Sequence, residues 1–170
     1  MRRRHEPAEG ILEPGETTVV VLEGVVAGFT RWSGLGGVAG IVVALTVPRV
    51  LNLGFVVGAV AIVAVLMGVF ALVYFAAGRP LAARNEPPLQ SPYLTLQLTD
   101  RRVILMDRSL GTDEPTLVEA SSINDISTVR YGAAGPLVPQ RLAFVVRGTE
   151  RRQFEFPRSE SVQEFVDYFE

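Results

Sequence analysis

Five arginines carry the side chains whose type and spacing most suggest ligand chemistry. Arg101, Arg102 and Arg108 flank one strand-turn-strand segment, and Arg151 and Arg152 begin another strand. A guanidinium presents a rigid fork of N–H donors that matches a phosphate or carboxylate in bidentate fashion. If the fold gathers these five, they could grip a lipid headgroup or an acidic partner. The composition pulls the other way. Residues 90–170 hold nine Arg against twelve Asp and Glu, a net charge of −3, which opposes unspecific attraction to an anionic leaflet. The plainer expectation is a solvated face with local ion pairs, each worth little.

Little else could do chemistry. The sole histidine, His5, lies in a polar N-terminal stretch and is expected to be solvated. There is no cysteine, which excludes disulfides and thiolate metal sites. No HExxH, GxSxG, phosphate-loop or dinucleotide signature is present. Asp100, Asp107, Asp113 and Glu114 fall near turns, where carboxylates accept backbone hydrogen bonds. No enzyme, metal site or cofactor is expected. The overall net charge of −2 implies no affinity for nucleic acid.

The elements that position these residues begin with Ser33 to Ala77, an almost wholly apolar block with no acid and one charge, Arg49. It is about twice the ~20 residues one membrane helix needs. Pro48-Arg49-Val50-Leu51-Asn52 divides it. The expectation is a transmembrane α-hairpin over 33–77. Its first span is Ser33 to Val47, extendable back to Phe29, and its second is Leu53 to Ala77, stopped by Gly78-Arg79-Pro80. Arg2, Arg3, Arg4, Arg31, Arg79 and Arg84 flank one side and Arg49 the other, which predicts a two-pass cell-membrane protein with both termini cytoplasmic. Arg31, Trp32, Tyr74 and Arg79 then mark the inner interface, with Phe75 beside them. Met1-Arg2-Arg3-Arg4 is followed by His5 and Glu6 rather than an apolar run, so no cleaved signal is expected. Gly36 and Gly40 are predicted to pack on the Ala64 and Gly68 side of the second helix, while Gly54 and Gly58 offer a homo-oligomer contact. Neither span holds Asp, Glu, His or Lys, which argues against a carrier, pump or intramembrane protease.

A linker over 78–92 precedes a soluble unit over 93–170. Tyr93 to Thr99 alternates with leucines on one face, and Arg102 to Asp107 returns after a turn. Thr116–Ala120, Ser127–Tyr131, Arg141–Arg147 and Gln153–Phe156 complete six strands. Ser161 with Glu164 reads as a capping box opening a helix with Val162, Phe165, Val166 and Phe169 as its apolar stripe. Within the N-terminal segment 1–32, Thr17 to Leu22 is β-branched and too short to span. It is predicted to return as a seventh strand beside Tyr93 to Leu98, which makes the membrane hairpin an insertion between two strands.

Leu96-Gln97-Leu98-Thr99-Asp100-Arg101-Arg102-Val103-Ile104-Leu105 resembles the "LTDRRLI" hairpin of bacterial pleckstrin-homology-like domains. Ser121 to Val129 is similar to that family's "I-x-x-I-x-x-V" approach to its next strand. Phe154-Glu155-Phe156-Pro157 with Val162 to Phe169 resembles its last strand and helix, and Leu12-Glu13-Pro14-Gly15-Glu16 resembles the "L-x-P-G-E" lead-in. The resemblance implies a bent PH-like barrel of about seven strands capped by a C-terminal helix, α+β or mainly β in class. It implies a binding platform rather than a reaction. The expected function is a membrane-anchored binding or scaffold module that presents a cytoplasmic barrel to a protein or peptide partner. The alternative is a sensor of anionic lipid headgroups.

Overall fold

Alternating and helical apolar periods segregate cleanly in this chain, and they produce a seven-stranded antiparallel sheet and two long apolar helices. The structure, a computed structural model, describes residues 11–50, 54–85, 87–108, 115–132, 139–157 and 160–170, with backbone alone at 48–50, 55, 56 and 160. His5, Asp113 and Glu114 lie outside the described residues.

Strand β1 (Thr18–Val26) leads directly into helix α1 (Phe29–Val50). Helix α2 (Phe55–Val73) continues through a π-helical turn (Tyr74–Gly78) into α3 (Arg79–Ala83). The expected stop at Gly78-Arg79-Pro80 therefore does not occur. Pro80 lacks an N–H, and its ring would press on the carbonyl one turn earlier. The wider π turn lies in that stretch and lets the helix pass the proline, with the Arg79 N–H bonded to the Tyr74 carbonyl.

Strands β2 (Tyr93–Thr99), β3 (Arg102–Asp107), β4 (Thr116–Ser122), β5 (Ile126–Gly132), β6 (Gln140–Val146) and β7 (Glu150–Phe156) follow, and α4 (Glu160–Asp167) ends the chain. The sheet order is β4-β3-β2-β1-β7-β6-β5. β1 pairs with β2 from Val20 opposite Leu98 to Val25 opposite Tyr93. The two helices are thus inserted between neighbouring strands. β1 meets β7 only at Val25–Glu155 and Val26–Phe154, so the two halves of the sheet hinge there. A short 3-10 turn, Ile123–Asp125, joins β4 to β5. Those two strands do not pair, so the sheet is not closed, and the bent barrel that was expected appears only as its seven antiparallel strands and terminal helix.

Leu22, Leu96, Leu98, Leu142, Phe144, Phe154 and Phe156 form the core with Val162, Phe165 and Val166 of α4. The helix starts at Glu160, which puts Ser161 inside its first turn rather than at its N-cap. The alternation in β2 predicts one wet face, yet Thr95, Gln97 and Thr99 are buried as well. Their polar groups turn to neighbours: Gln97 Nε2 donates to Thr18 Oγ1 at 2.7 Å, and Thr99 Oγ1 donates to Glu16 Oε1 at 2.6 Å. The rule that buried polar groups find partners is met only in part, since Gln97 Oε1 and Asp107 Oδ1 are buried with no hydrogen-bond partner among the described residues.

In the helical hairpin, Gly36 lies against Val73, and a Cβ on Gly40 would stand 3.3 Å from Val69 Cγ1 and 3.5 Å from Leu66 Cδ2. Ala64 and Gly68, the predicted partners, are exposed on another face, and nothing lies within 4 Å of a Cβ on Gly68. The contact row on α2 is 66, 69 and 73, and residues 64 and 68 are rotated away from it by about 100° per residue. Gly54 is exposed and Gly58 is buried within the chain.

Candidate functional site at the junction of hairpin and sheet

Both helices meet the sheet at one place, and a carboxylate organises it. Glu155 sits on β7 and is 3% exposed. Phe154 and Phe156 face the core, so the alternation turns Glu155 to the other side, where α1 begins. Its Oε1 accepts from the Gly28 N–H at 3.0 Å, and its Oε2 accepts from the Thr30 hydroxyl. The first amides of a helix have no partner inside it, and the helix dipole favours an anion there. Glu155 therefore ties the turn that enters α1 and the Thr30 hydroxyl of its first turn to a strand 127 residues away from Gly28, with its charge beside the positive end of the helix. Arg141 of β6 approaches the same carboxylate, with Nε and Nη2 both 3.2 Å from Oε1. The turn that delivers α1 to this point depends on Gly28, whose φ of +88° suits glycine.

Aromatic packing completes the junction. Phe29, the first residue of α1, is buried and meets Tyr93 edge-on at 5.7 Å. Tyr74 of the π turn stacks on Tyr93 at 6.4 Å. Burial, with the Tyr74 hydroxyl nearby, pushes the Tyr93 phenol above its ordinary value. A Cβ on Gly78 would stand 2.8 Å from Phe29 Cε2 and 3.0 Å from Pro92 Cγ. Glycine is what allows this close approach. The segment read as a linker is packed: Ala82 and Leu89 are buried in the core cluster, and the Leu89 N–H bonds the Ala82 carbonyl at 3.0 Å.

The five arginines singled out from sequence are not brought together. Arg108 lies near the junction, where it pairs with Glu23. The other four lie toward the opposite rim of the sheet. Arg102 is clamped inside. Its Nε and Nη2 reach the two oxygens of Glu16 at 2.9 and 2.8 Å, Nη1 reaches Glu13 at 3.0 Å, and Nη2 also donates to the Ile11 carbonyl. These bonds to Arg102, opposed by burial and helped by Thr99, hold the Glu16 carboxyl down at about 2. Asp100 accepts from the Thr17 N–H at 3.0 Å alongside. The "LxPGE" and "LTDRR" segments are thus two halves of one staple.

Arg152 is buried between the two halves of the sheet, 3.1 Å from each oxygen of Glu119 on β4 and 2.7 Å from Glu150. Burial opposes the charged Arg152, but these hydrogen bonds outweigh it and raise its pKa above the ordinary value. Its inward position was legible from spacing, since 152, 154 and 156 share a face. Arg101 and Arg151 are exposed and make no ion pair with any described residue. At the helices, Arg31, Trp32 and Arg79 are exposed, while Tyr74 is half-buried in the aromatic stack. Glu155 escaped sequence reasoning because only tertiary structure brings it to α1. Among the described residues no group of acids or histidines could hold a metal.

No protein-family model, curated protein or solved structure matches this chain.

Proposed function

We propose that the chain is a two-pass membrane protein whose hairpin holds an open, PH-like sheet on the cytoplasmic side and presents it to a protein or peptide partner. Two helices, Phe29–Val47 and Val57–Ala83, are long and apolar enough to cross a bilayer. Val38, Ile41, Val57, Val60, Val63, Met67 and Leu72 are all exposed, an apolar surface that water does not tolerate and lipid does. The sheet order and the C-terminal helix support the PH-like reading.

The observation that carries the proposal is the rigid junction. With Glu155 bonded to Gly28 and Thr30 at the start of α1 and Phe29 in the core, the sheet is a fixed extension of the hairpin. β1 rises from it by about 3.3 Å per residue, which carries the far rim roughly 25 Å from the helices. Three connections lie on that rim: Asp100–Arg101, Ile123–Asp125 and Arg147–Thr149. A rim at that height faces the cytoplasm rather than the leaflet. Both free sheet edges carry bulges, in β4 opposite Leu105/Met106 and in β5 between Ser127 and Val129, where Thr128 has a φ of +58°. Bulged edges resist strand addition, which favours the rim as the docking surface. Photocross-linking groups placed at Asn124 and at Trp32 of the full chain in native membranes test this. The expected result is protein adducts at Asn124 and lipid adducts at Trp32. Lipid adducts at Asn124 would overturn it.

A further inference from the structure

On the sheet, Arg102, Arg108, Arg141, Arg147 and Arg152 have carboxylate partners, while Arg101, Arg130 and Arg151 are exposed and make no ion pair with any described residue. On the helices, Arg31 and Arg79 are exposed and make no ion pair with any described residue. The sequence holds no Asp or Glu between Gly24 and Asn85, so no acid of the hairpin competes for them. Glu155, the acid of the neighbouring strand, is buried and already gathered by Arg141, Gly28 and Thr30.

The antiparallel packing fixes where the two cations stand. Phe29 lies against Gly78 and Gly36 against Val73, so Arg31 and Arg79 bracket the Phe29–Gly78 level. At 1.5 Å per residue they fall within about 5 Å of each other along the hairpin axis. Trp32 and Phe75, 53% and 60% exposed, share that level. Below it the surface is apolar; above it stands the sheet.

We infer that this collar, and not the sheet, is the protein's contact with anionic phospholipid, through Arg31 and Arg79 on the headgroup phosphates of the inner leaflet. The inference rests on the membrane reading of the hairpin. A guanidinium forms paired hydrogen bonds to a phosphodiester, and Trp at the same depth anchors the boundary between tails and headgroups. Residues 90–170 carry a net −3, so an anionic leaflet repels the sheet while the collar attracts it. The opposition of signs holds the sheet upright, which a sheet that bound headgroups itself would not need.

The test uses the full chain in nanodiscs of phosphatidylcholine, with and without a fraction of phosphatidylglycerol, read by thermal unfolding. Wild type is expected to gain several degrees with phosphatidylglycerol and to lose that gain in high salt. Arg31→Gln with Arg79→Gln keeps the wild-type midpoint in pure phosphatidylcholine, which reports an intact fold, and loses the gain. Arg101→Gln with Arg151→Gln keeps the gain. Inorganic phosphate added to phosphatidylcholine discs gives none. A gain that survives the collar substitutions, or that vanishes with Arg101 and Arg151, overturns the inference. Failure of the chain to enter nanodiscs, with a soluble folded product, overturns the membrane reading itself.

Discussion

The two ends of the sheet each gather a buried carboxylate with a guanidinium, and they use it differently. At the far rim Glu16 is enclosed by Arg102, Thr99 and its own turn, and all its partners lie within the sheet and its lead-in. At the junction Glu155 takes Arg141, whose side chain is 65% exposed, and spends its remaining capacity on the first turn of α1. The first arrangement closes a fold. The second fastens one part of the molecule to another, so its loss should be felt in the coupling before it is felt in the sheet.

The largest expected effect breaks the enclosed pair. Arg102→Ala leaves Glu16 buried beside an empty site and should cost about 3–5 kcal/mol in denaturant unfolding. Arg102→Lys keeps the charge but loses the fork, and should recover only part of it. The same pair sets an acid dependence. The Glu16 carboxyl is lowered from 4.5 to about 2 on folding. Its contribution is therefore complete above about pH 4.5 and fades as the pH falls through about 2. Arg102→Ala should flatten the acid limb of a midpoint-against-pH curve in that window.

Substitution at the junction sharpens the contrast. Gly78→Val places side-chain atoms against Phe29 and Pro92, and overpacking of that kind costs about 1–3 kcal/mol. Glu155→Gln removes the anion from the α1 terminus and should cost about 1–2 kcal/mol, since the exposed Arg141 pair contributes little. Its signature is local: amides in the first turn of α1 should exchange at least tenfold faster, while those of β2 and β3 stay protected. Smallest of all, Arg101→Ala and Arg151→Ala, both exposed, should shift stability by less than about 0.5 kcal/mol.

Much of this architecture was legible in the residues because single periods dominate it. The leucines of Tyr93–Thr99 mark a strand, and the apolar run from Ser33 onward marks two long apolar helices. The seven strands and the pairing of β1 with β2 followed from β-branched and alternating segments. What escaped depended on rotation or on distant partners. Gly36 and Gly40 were identified, but their neighbours on α2 are 66, 69 and 73 rather than 64 and 68. Pro80 reads as a helix stop until a π turn relieves it. Arg102 and Arg152 look like free cations because Glu16 and Glu119 are remote in sequence. Glu155 looks like the wet residue of an alternating strand, and nothing local says that a helix terminus will arrive above it.

The membrane placement of the hairpin is the claim on which the proposed function turns, and the chain's lack of cysteine gives it a direct test. Single cysteines would be placed at Asn52, between the two helices in the sequence, and at Asn124 on the far rim, then treated in intact cells with a membrane-impermeant maleimide. Labelling at position 52 from outside, with position 124 protected until the cells are opened, is the expected result. Labelling of position 124 in intact cells would contradict the account.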